Sequence, residues 1–519
     1  MKKAIYLIIA LIGLSAPSCS DSMLDFSPTD SGSGKELLKS ASTAITSVNG
    51  VYRSMWTAGW STTANTHQCF GIAAYNLALD CMADDLIMQS QGNGWFWGDH
   101  CYNVKSNYTS SAFRSYDVWY ANYKWIANVN YIIDAEPEMA GTEADVAYVA
   151  GQAYAIRALC YLNLATWFSR APYNSLTGAS RWNEPCVPVY TTGTSIDTGG
   201  QPRESLRTVY GRIDQDIDRA IELLEKARET TLAENNKSHI NLYVALGIKS
   251  RACLAEGDWD GAFKAAKRVI DEGGYAVGTK SDLTGGMNSL DKQNVMWGAG
   301  IQVADQAGGY AGFFTHMDNK EGAYAKSAPK LISKQLYNRI SATDIRRDWW
   351  DPSDMESPYV SKKFSFANVA SFLGDYIYMR VEEMYFTAAE AALRLDDLKS
   401  ARELMNTVMA ERDPGYSANN RSGTLLGATT TTWTGSFLEN ILTHRRIELW
   451  GEYGRLFDVR RLGQGIDRRT DDGFSEECIS MMNRRNVNIT KADTYDWVLT
   501  IPKAELDANP NINEEDQNP

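Results

Sequence analysis

The chain contains little cysteine and histidine, which limits the metal chemistry that it can support. Its 519 residues include 8 cysteines and 5 histidines. No two cysteines have the CxxC spacing of a common zinc site, and no HExxH motif occurs. His444 and Glu448 share one face of a predicted helix, but a zinc site needs a third ligand. The sequence therefore predicts no cofactor, although its many Asp and Asn residues would be compatible with a structural Ca²⁺.

The chain also has fewer basic than acidic residues. Lys and Arg number 51 against 64 Asp and Glu, which gives a formal net charge of -13. This balance disfavours nucleic acid and anionic membranes as partners, whereas neutral ligands fit it better. Common enzyme motifs are missing too. Lys35 is followed by Glu36 where a P-loop has Ser or Thr, and no GxSxG occurs.

Long apolar runs are missing, apart from one run near the N-terminus. It spans residues 4–14 and follows Lys2 and Lys3. This run is shorter than the roughly 20 residues of a membrane-spanning helix. A basic start followed by such a run is typical of a signal peptide, which we place at residues 1–18.

Cys19 directly follows the predicted signal peptide. Ala16 and Ser18 before it resemble a bacterial lipobox, in which the cysteine is acylated and becomes the first residue of the mature protein. Ordinary cleavage beside an incidental cysteine is the alternative. Residues 19–35 are polar and rich in Ser and Gly, so they predict a flexible tether between a lipid anchor and a globular body.

Seven cysteines remain after Cys19, which is an odd number. Cys160 and Cys253 lie on apolar helical stripes and are expected to be small buried side chains. A disulfide among the others is left open by the sequence. The three candidates for it are Cys69, Cys81 and Cys101.

Residues 148–172 predict the central helix of the molecule. Val149, Ala153 and Ile156 recur at three- and four-residue steps, which places them on one buried stripe. Small residues between large rings allow neighbouring helices to approach closely. Pro172 is expected to end the helix.

An internal repeat predicts the fold class. Residues 251–270 align without a gap to residues 390–409, and each copy reads as helix, acidic turn and helix. This pattern is typical of tetratricopeptide units, which stack because none can bury its own apolar face alone. We therefore expect an all-α, tetratricopeptide-like scaffold within a single domain over residues 36–519. The helical units are predicted near residues 146–228, 239–272, 377–411 and 437–463.

Two long irregular stretches interrupt the predicted scaffold. Residues 83–111 have no helical period and are crowded with Gly, Asn, Asp and aromatic residues, and residues 273–374 form a second insertion. Connections of this length between packed helices are usually functional. The binding chemistry is therefore expected in these loops.

The first stretch contains the strongest binding candidates, Trp95 and Trp97. Neighbouring glycines are expected to expose both rings, while Asn93 and Asp99 supply hydrogen-bonding groups. The alternative for either ring is a place in the core, where Trp usually lies.

The second stretch offers an opposing wall for a shallow groove. Its aromatic and polar candidates are Tyr310, Phe313, Phe314, His316, Asp318, Asn319 and Tyr324. Trp349 and Trp350, further along, better fit a structural aromatic corner.

Two groups of charged residues allow both functional and structural interpretations. Asp84 and Asp85 either orient the site or bind ligand hydroxyl groups, with a solvated or capping role as the alternative. A second group first suggests catalysis, but a buried ion-pair network fits better because charges removed from water need partners. Its members are Arg445, Arg446, Glu448, Glu452, Arg455 and Asp458.

Three motifs carry a resemblance to a known family. Residues 157–164 resemble an RAxxYxxL helix, and residues 443–463 resemble an ERRxELxxEGxRxxDLxRWG element. Residues 501–506 and 509–519 resemble a closing IPxxEL and NPNxxQNP signature. Together they resemble the SusD-like, or RagB/SusD, outer-membrane nutrient-binding lipoproteins of Bacteroidetes.

This resemblance implies a lipid-anchored protein on the outer surface of the outer membrane. Such proteins cover a SusC-like TonB-dependent transporter and capture oligosaccharides, or in some branches peptides, without catalysis. Sugar binding would agree with the loops, since sugar C–H faces stack on Trp and Tyr. A peptide-binding relative is one alternative. A surface glycan-degrading enzyme, which needs two suitably spaced carboxylates, is another.

Overall fold

The structure, a computed structural model, describes residues 34–57, 66–103, 113–195, 197–233, 237–302, 311–492 and 494–519. The predicted signal peptide, Cys19 and Tyr310 lie outside these ranges. Within them the chain is mainly helical with few, short strands. The predicted helical fold class is therefore confirmed.

Long helices form the body of the molecule. In chain order they are α1 (Ala41–Ser54), α2 (Ile72–Met82), α3 (Phe113–Ala135), α4 (Glu143–Phe168), α5 (Leu206–Lys226), α6 (Leu242–Glu256), α7 (Trp259–Glu272), α8 (Val381–Arg394), α9 (Leu398–Ala410), α10 (Phe437–Glu448), α11 (Arg455–Leu462) and α12 (Glu476–Arg484). Shorter helices lie at Gly34–Leu37, Trp97–His100, Lys280–Leu283, Phe313–Met317, Ala323–Ser327, Lys334–Tyr337 and Lys503–Ala508.

Three helical pairs stack into the repeat scaffold. Helix α4 packs against α5, α6 against α7, and α8 against α9, while α7 also contacts α8 and so joins the second pair to the third. Small residues permit this close packing. A Cβ atom on Gly151 of α4 would lie 3.0 Å from Cγ of Leu224 on α5, so a larger side chain there would require Leu224 to move.

The fourth predicted unit differs from the other three. Helices α10 and α11 lie at the expected positions, but α10 packs on α8, whereas α11 packs on α2 and α6. Gly451 and Gly454 between them have φ values of +75° and +88°, a conformation that glycine adopts readily. This turn sends the two helices to different neighbours.

Helix α4 begins and ends earlier than the sequence predicted. Thr142 caps its N-terminus by accepting a hydrogen bond from the backbone N–H of Asp145. The helix ends at Phe168 because Ser169 has an extended backbone with φ of -144°. Pro172 thus follows the end of the helix by several residues and does not itself stop it.

Helix α5 supplies a direct test of capping. Ser205 Oγ accepts a hydrogen bond of 3.2 Å from the backbone N–H of Thr208, as the sequence predicted. Ser205→Ala is expected to lower the free energy of unfolding by about 1 kcal/mol, measured by urea unfolding. Ser205→Asp, which keeps an acceptor, should stay close to the wild type. Equal losses in both variants would contradict a capping role.

Short strands connect the two irregular stretches. They are β1 (Leu86–Met88), β2 (Val295–Ala299), β3 (Lys330–Ile332), β4 (Trp350–Asp351), β5 (Val360–Ser361) and β6 (Tyr376–Arg380). Antiparallel pairing gives one sheet in the order β1-β3-β5-β4 and a second sheet of β2 and β6. The pairs Leu86–Ile332 and Met88–Lys330 join the first stretch to the second. Runs of three residues are too short for their periodicity to be recognised in the sequence.

Candidate functional site

The two irregular stretches meet beside strands β1 and β3. Gly92 has φ of +49° and lies so close to the short helix Ala323–Ser327 that a Cβ atom would come within 2.6 Å of the Ser327 carbonyl oxygen. Ser90 Oγ donates to the same carbonyl at 3.4 Å. Glycine at position 92 therefore allows the loop that carries Trp95 to rest against the second stretch.

Three aromatic side chains form the surface where these stretches meet. The rings of Trp95 and His67 are stacked, with centroids 4.9 Å apart and planes 7° from parallel. Tyr324 meets the edge of Trp95, with centroids 6.1 Å apart, and its hydroxyl hydrogen-bonds His67 Nδ1. We call Trp95, His67 and Tyr324 the aromatic platform.

A buried layer supports the aromatic platform. His316 donates from Nε2 to the His67 carbonyl oxygen at 2.7 Å, because a carbonyl can only accept. Its ring stacks on Phe70 and meets the edge of Phe96. Burial and the nearby ammonium group of Lys330 lower the pKa of His316 to about 3. The imidazole is therefore neutral at pH 7, and it fixes the backbone beneath His67.

The platform is open to solvent at Trp95 and His67, which are both half-buried, whereas Tyr324 is buried. Asn93 is exposed two residues before Trp95. A flat indole with an adjacent amide can stack on an apolar ligand face while hydrogen-bonding its polar edge. This geometry therefore supports the binding of a ligand that has both an apolar face and polar groups.

Trp97 lies in the core. Its side chain is only 3% exposed. Phe96 between the two tryptophans has a left-handed backbone with φ of 60°, which turns the chain so that Trp95 and Trp97 face different surroundings. The prediction that glycines expose both rings is wrong for Trp97.

Asp99 is fully buried and forms a structural ion pair. Its two carboxylate oxygens accept from the guanidinium group of Arg114 at 2.8 and 3.0 Å. The side chain thus fixes the start of α3 to the loop. Because both oxygens are buried against Arg114, the prediction that Asp99 supplies hydrogen bonds to a ligand is wrong.

Asp84 and Asp85 are also buried and paired with arginines. Arg446 donates to Asp84 at 2.9 Å and to Asp85 at 2.5 Å, and Arg455 donates to Asp84 at 3.2 Å. Burial would raise the pKa of Asp84, but the two guanidinium groups lower it to about 2. These carboxylates are neither solvated nor helix caps. They anchor the base of the first stretch to α10 and α11.

Asp318 and Asn319 organise the backbone of the second stretch. Asp318 accepts from the backbone N–H groups of Lys320, Glu321 and Phe366. Asn319 accepts from the backbone N–H of Lys330 at 2.9 Å. Both side chains hydrogen-bond backbone groups within the fold. The structure therefore gives them a structural role in place of the predicted contacts with a ligand.

The sequence did not single out His67, which completes the platform. A lone histidine in a polar stretch gives no periodic or spacing signal. Only the stacking on Trp95, which lies 28 residues away along the chain, reveals its place in the site.

Two family models match the chain. One is described as the SusD family and matches residues 355–519. Another is described as "Starch-binding associating with outer membrane" and matches residues 43–254. Together the two matches cover well over half of the sequence. The chain belongs to the SusD family. No curated protein matches it.

Several solved structures share the fold. A SusD-like carbohydrate binding protein from Bacteroides vulgatus is 25% identical with a TM-score of 0.72, and the match covers 92% of this chain and 98% of that one. A SusD superfamily protein from Bacteroides thetaiotaomicron is 22% identical with a TM-score of 0.73, covering 92% and 100%. Surface glycan-binding protein A from the same species is 16% identical with a TM-score of 0.63, covering 93% and 99%.

The SusD-like motif over residues 443–463 forms the predicted ion-pair network. Arg445 and Arg461 both donate to Asp458, at 2.8 and 2.7 Å, and Arg461 also reaches Glu390 of α8. All of these side chains are buried. The prediction of a structural network is confirmed. Trp349 and Trp350 are buried as well, as an aromatic corner requires.

Glu448 is the centre of a second part of this SusD-family network. Arg346, Arg380 and Arg412 donate to its carboxylate at 3.1, 3.0 and 2.9 Å. Burial would raise the pKa of Glu448, but the three guanidinium groups hold it well below its usual range. The carboxylate is therefore ionised throughout the physiological range.

Acid is expected to destabilise this SusD-family protein. A carboxylate with a lowered folded-state pKa adds full stability above its unfolded pKa of about 4, and this stability is lost as pH falls through the folded pKa. For Asp84 that window lies between about pH 4 and pH 2. The net loss is smaller than this shift alone would give, because burial raises the pKa of the neighbouring Asp85, which shares the same arginines. Urea unfolding at pH 7, 5, 4 and 3 tests this, and an unchanged free energy of unfolding between pH 5 and 3 would contradict it.

Within the described ranges no disulfide bond supports the SusD fold. All seven cysteines there are buried, including Cys160 and Cys253 as predicted. No disulfide joins Cys69, Cys81 and Cys101. In the same ranges no three His, Cys, Asp or Glu side chains group as a metal site, and the structural Ca²⁺ stays a prediction. None of the described helices has the length and apolarity to cross a bilayer.

Proposed function

We propose that this protein is a lipid-anchored glycan-binding protein on the cell surface, which captures oligosaccharides and delivers them to a SusC-like TonB-dependent transporter without chemistry of its own. The half-buried Trp95, stacked on His67 where the two irregular stretches meet, carries this proposal.

The platform and the neighbouring Asn93 suit a sugar ring because they offer partners for both its apolar C–H face and its hydroxyl groups. The apolar C–H face of a pyranose stacks on an indole, and its hydroxyl groups need amide or carboxylate partners. Trp95 supplies the first surface and the exposed Asn93 the second. His67 and Tyr324 hold the indole in place before the ligand arrives, so little conformational entropy is lost on binding.

Binding without catalysis fits the state of the nearby carboxylates. A glycosidase needs two carboxyl groups facing one scissile bond. Asp99 is paired with Arg114, and Asp318 accepts from three backbone N–H groups. Both are buried, so neither offers an acid or a nucleophile beside Trp95. This supports a binding protein over the glycan-degrading alternative.

The proposed location rests on the N-terminal sequence and on the family. Lipidation at Cys19 and the tether over residues 19–35 would hold the body at the outer membrane. One matching family model is described as associating with that membrane, and a structural relative is named a surface glycan-binding protein. The SusD-like resemblance supports delivery to a transporter.

Titration calorimetry of the mature protein tests the proposal. The probes are maltohexaose, cellohexaose, xylohexaose and mannohexaose, together with a mixed peptide pool. We expect heat from at least one hexaose, with no release of reducing sugar after prolonged incubation. Heat from peptides alone would identify the peptide-binding alternative. Reducing-sugar release would identify the enzyme.

A further inference from the structure

A cavity of about 270 Å³ lies on the helical scaffold, outside the aromatic platform. Helix α3 forms its floor with Tyr123 and Ala127, while Tyr190 and the exposed Ser195 and Thr198 form its wall. Glu505, from the IPxxEL motif at the end of the chain, also lines it. The platform has no part in this cavity, and the proposed function does not use it.

The wall of the cavity is attached to α3 by several hydrogen bonds. Asn130 Nδ2 donates to the carbonyl oxygens of Tyr190 and Thr192 at 3.1 and 3.0 Å. Asp134 Oδ2 accepts from the backbone N–H of Gly193 at 2.7 Å. The shape of the cavity is thus built into the fold before any ligand enters.

Glu505 is held in a fixed orientation. Its Oε2 accepts from Trp119 Nε1 at 3.2 Å, and its Oε1 accepts from Asn509 Nδ2 at 2.8 Å. Each carboxylate oxygen can accept a second hydrogen bond. The half-buried carboxylate can therefore receive ligand hydroxyl groups without losing its internal partners.

Tyrosine rings provide the apolar surface. Tyr123 and Tyr190 meet edge to face, with centroids 5.9 Å apart. Tyr116 and Tyr120, which lie on the same face of α3 as Tyr123, stack on each other with centroids 5.5 Å apart. Because a helix rises 1.5 Å per residue, positions 116 to 127 form a row about 16 Å long that leads to the cavity.

We infer that this cavity is a second saccharide site, which takes one residue of a neutral oligosaccharide while the tyrosine row carries the rest of the chain. The inference shares its ligand class with the proposed function. The lining combines ring faces, hydroxyl groups and one carboxylate, and among the residues that the structure describes it contains neither Lys nor Arg. An anionic ligand would find no counter-charge there, whereas sugar hydroxyls find acceptors and sugar C–H faces find rings.

Two substitutions are designed to block the cavity. A Cβ atom on the exposed Gly199, which lines the mouth, meets no atom within 4 Å. Gly199→Arg therefore places a long side chain at the mouth without a clash, and Ala127→Arg fills the floor. Gly50→Arg is the matched control, because Gly50 is also exposed and has no atom within 4 Å of its Cβ position. Thermal melts establish that each variant is folded.

Calorimetry with the four hexaoses is carried out on the mature protein with and without Trp95→Ala. With the platform removed, at least one hexaose should still bind with a dissociation constant on the order of 1 mM. Gly199→Arg or Ala127→Arg should then weaken this binding at least about tenfold, while Gly50→Arg leaves it within about twofold. Residual binding that neither cavity variant changes would overturn the inference.

The same measurements separate the two proposals. If Trp95→Ala removes all binding, the result supports the platform as the sugar site and shows that the cavity does not bind sugar. If Trp95→Ala has no effect and the cavity variants remove all binding, the cavity is the sugar site and the assignment of the platform is wrong. Wild-type protein that binds none of the hexaoses contradicts both.

Discussion

Replacing Trp95 by alanine is expected to weaken oligosaccharide binding at the platform by about 30-fold or more, which corresponds to at least about 2 kcal/mol. The indole is the largest partly exposed ring where the two irregular stretches meet, and it is pre-positioned by stacking on His67. Alanine removes the whole stacking surface. Titration calorimetry with the hexaose that gives the largest heat measures the loss.

Trp182→Ala is the matched control for this experiment. Trp182 is also half-buried, but its ring packs on Tyr210 and Arg207 of α5, in the helical scaffold. The control should retain wild-type affinity. His67→Ala should give a smaller loss than Trp95→Ala because it removes the support and leaves the indole. If Trp95→Ala binds as tightly as the wild type, the platform is not the ligand site.

Glu448→Ala is expected to lower the free energy of unfolding by about 3–5 kcal/mol, because removing one carboxylate from a buried ion-pair network leaves positive charge in excess there. Arg346, Arg380 and Arg412 would lose their shared carboxylate. They would keep only their other partners, Asp344, Glu382 and Glu452. Urea unfolding at pH 7 should show a much lower midpoint.

An exposed ion pair provides the comparison for Glu448→Ala. Glu403 lies 3.8 Å from Lys399 on α9, and both side chains are largely exposed. Glu403→Ala should change stability by less than about 1 kcal/mol. A Glu448→Ala variant that loses no more than this control would show that the network adds nothing to stability.

The helical scaffold could be predicted because its signals are local. The aligned repeats at 251–270 and 390–409 contain both members of each helical pair, and α6, α7, α8 and α9 form there. Apolar periodicity and caps such as Ser205 act within a few residues, so the sequence alone displays them.

The candidate site was only partly predictable because its determinants are not local. Trp95 and Trp97 stand two residues apart with similar neighbours, yet the left-handed backbone of Phe96 sends one toward solvent and the other into the core. Asp85 shows the same limit, because its partner Arg446 lies 361 residues away. No local sequence pattern around Asp85 indicates an arginine so distant. The buried ion pair gives Asp85 a structural role, whereas the sequence suggested a ligand-binding or solvated one.

The pairing of Asp84 and Asp85 with Arg446 and Arg455 has a consequence for biogenesis. These ion pairs hold the base of the first irregular stretch, and contacts of such long sequence separation form late because a large loop must close first. Until α10 and α11 have been synthesised, the carboxylates of Asp84 and Asp85 have no arginine partners and cannot be buried as ion pairs. We therefore expect the base of the first irregular stretch, and with it the aromatic platform, to form only after synthesis of nearly the whole chain, so that a prematurely terminated product would lack the platform.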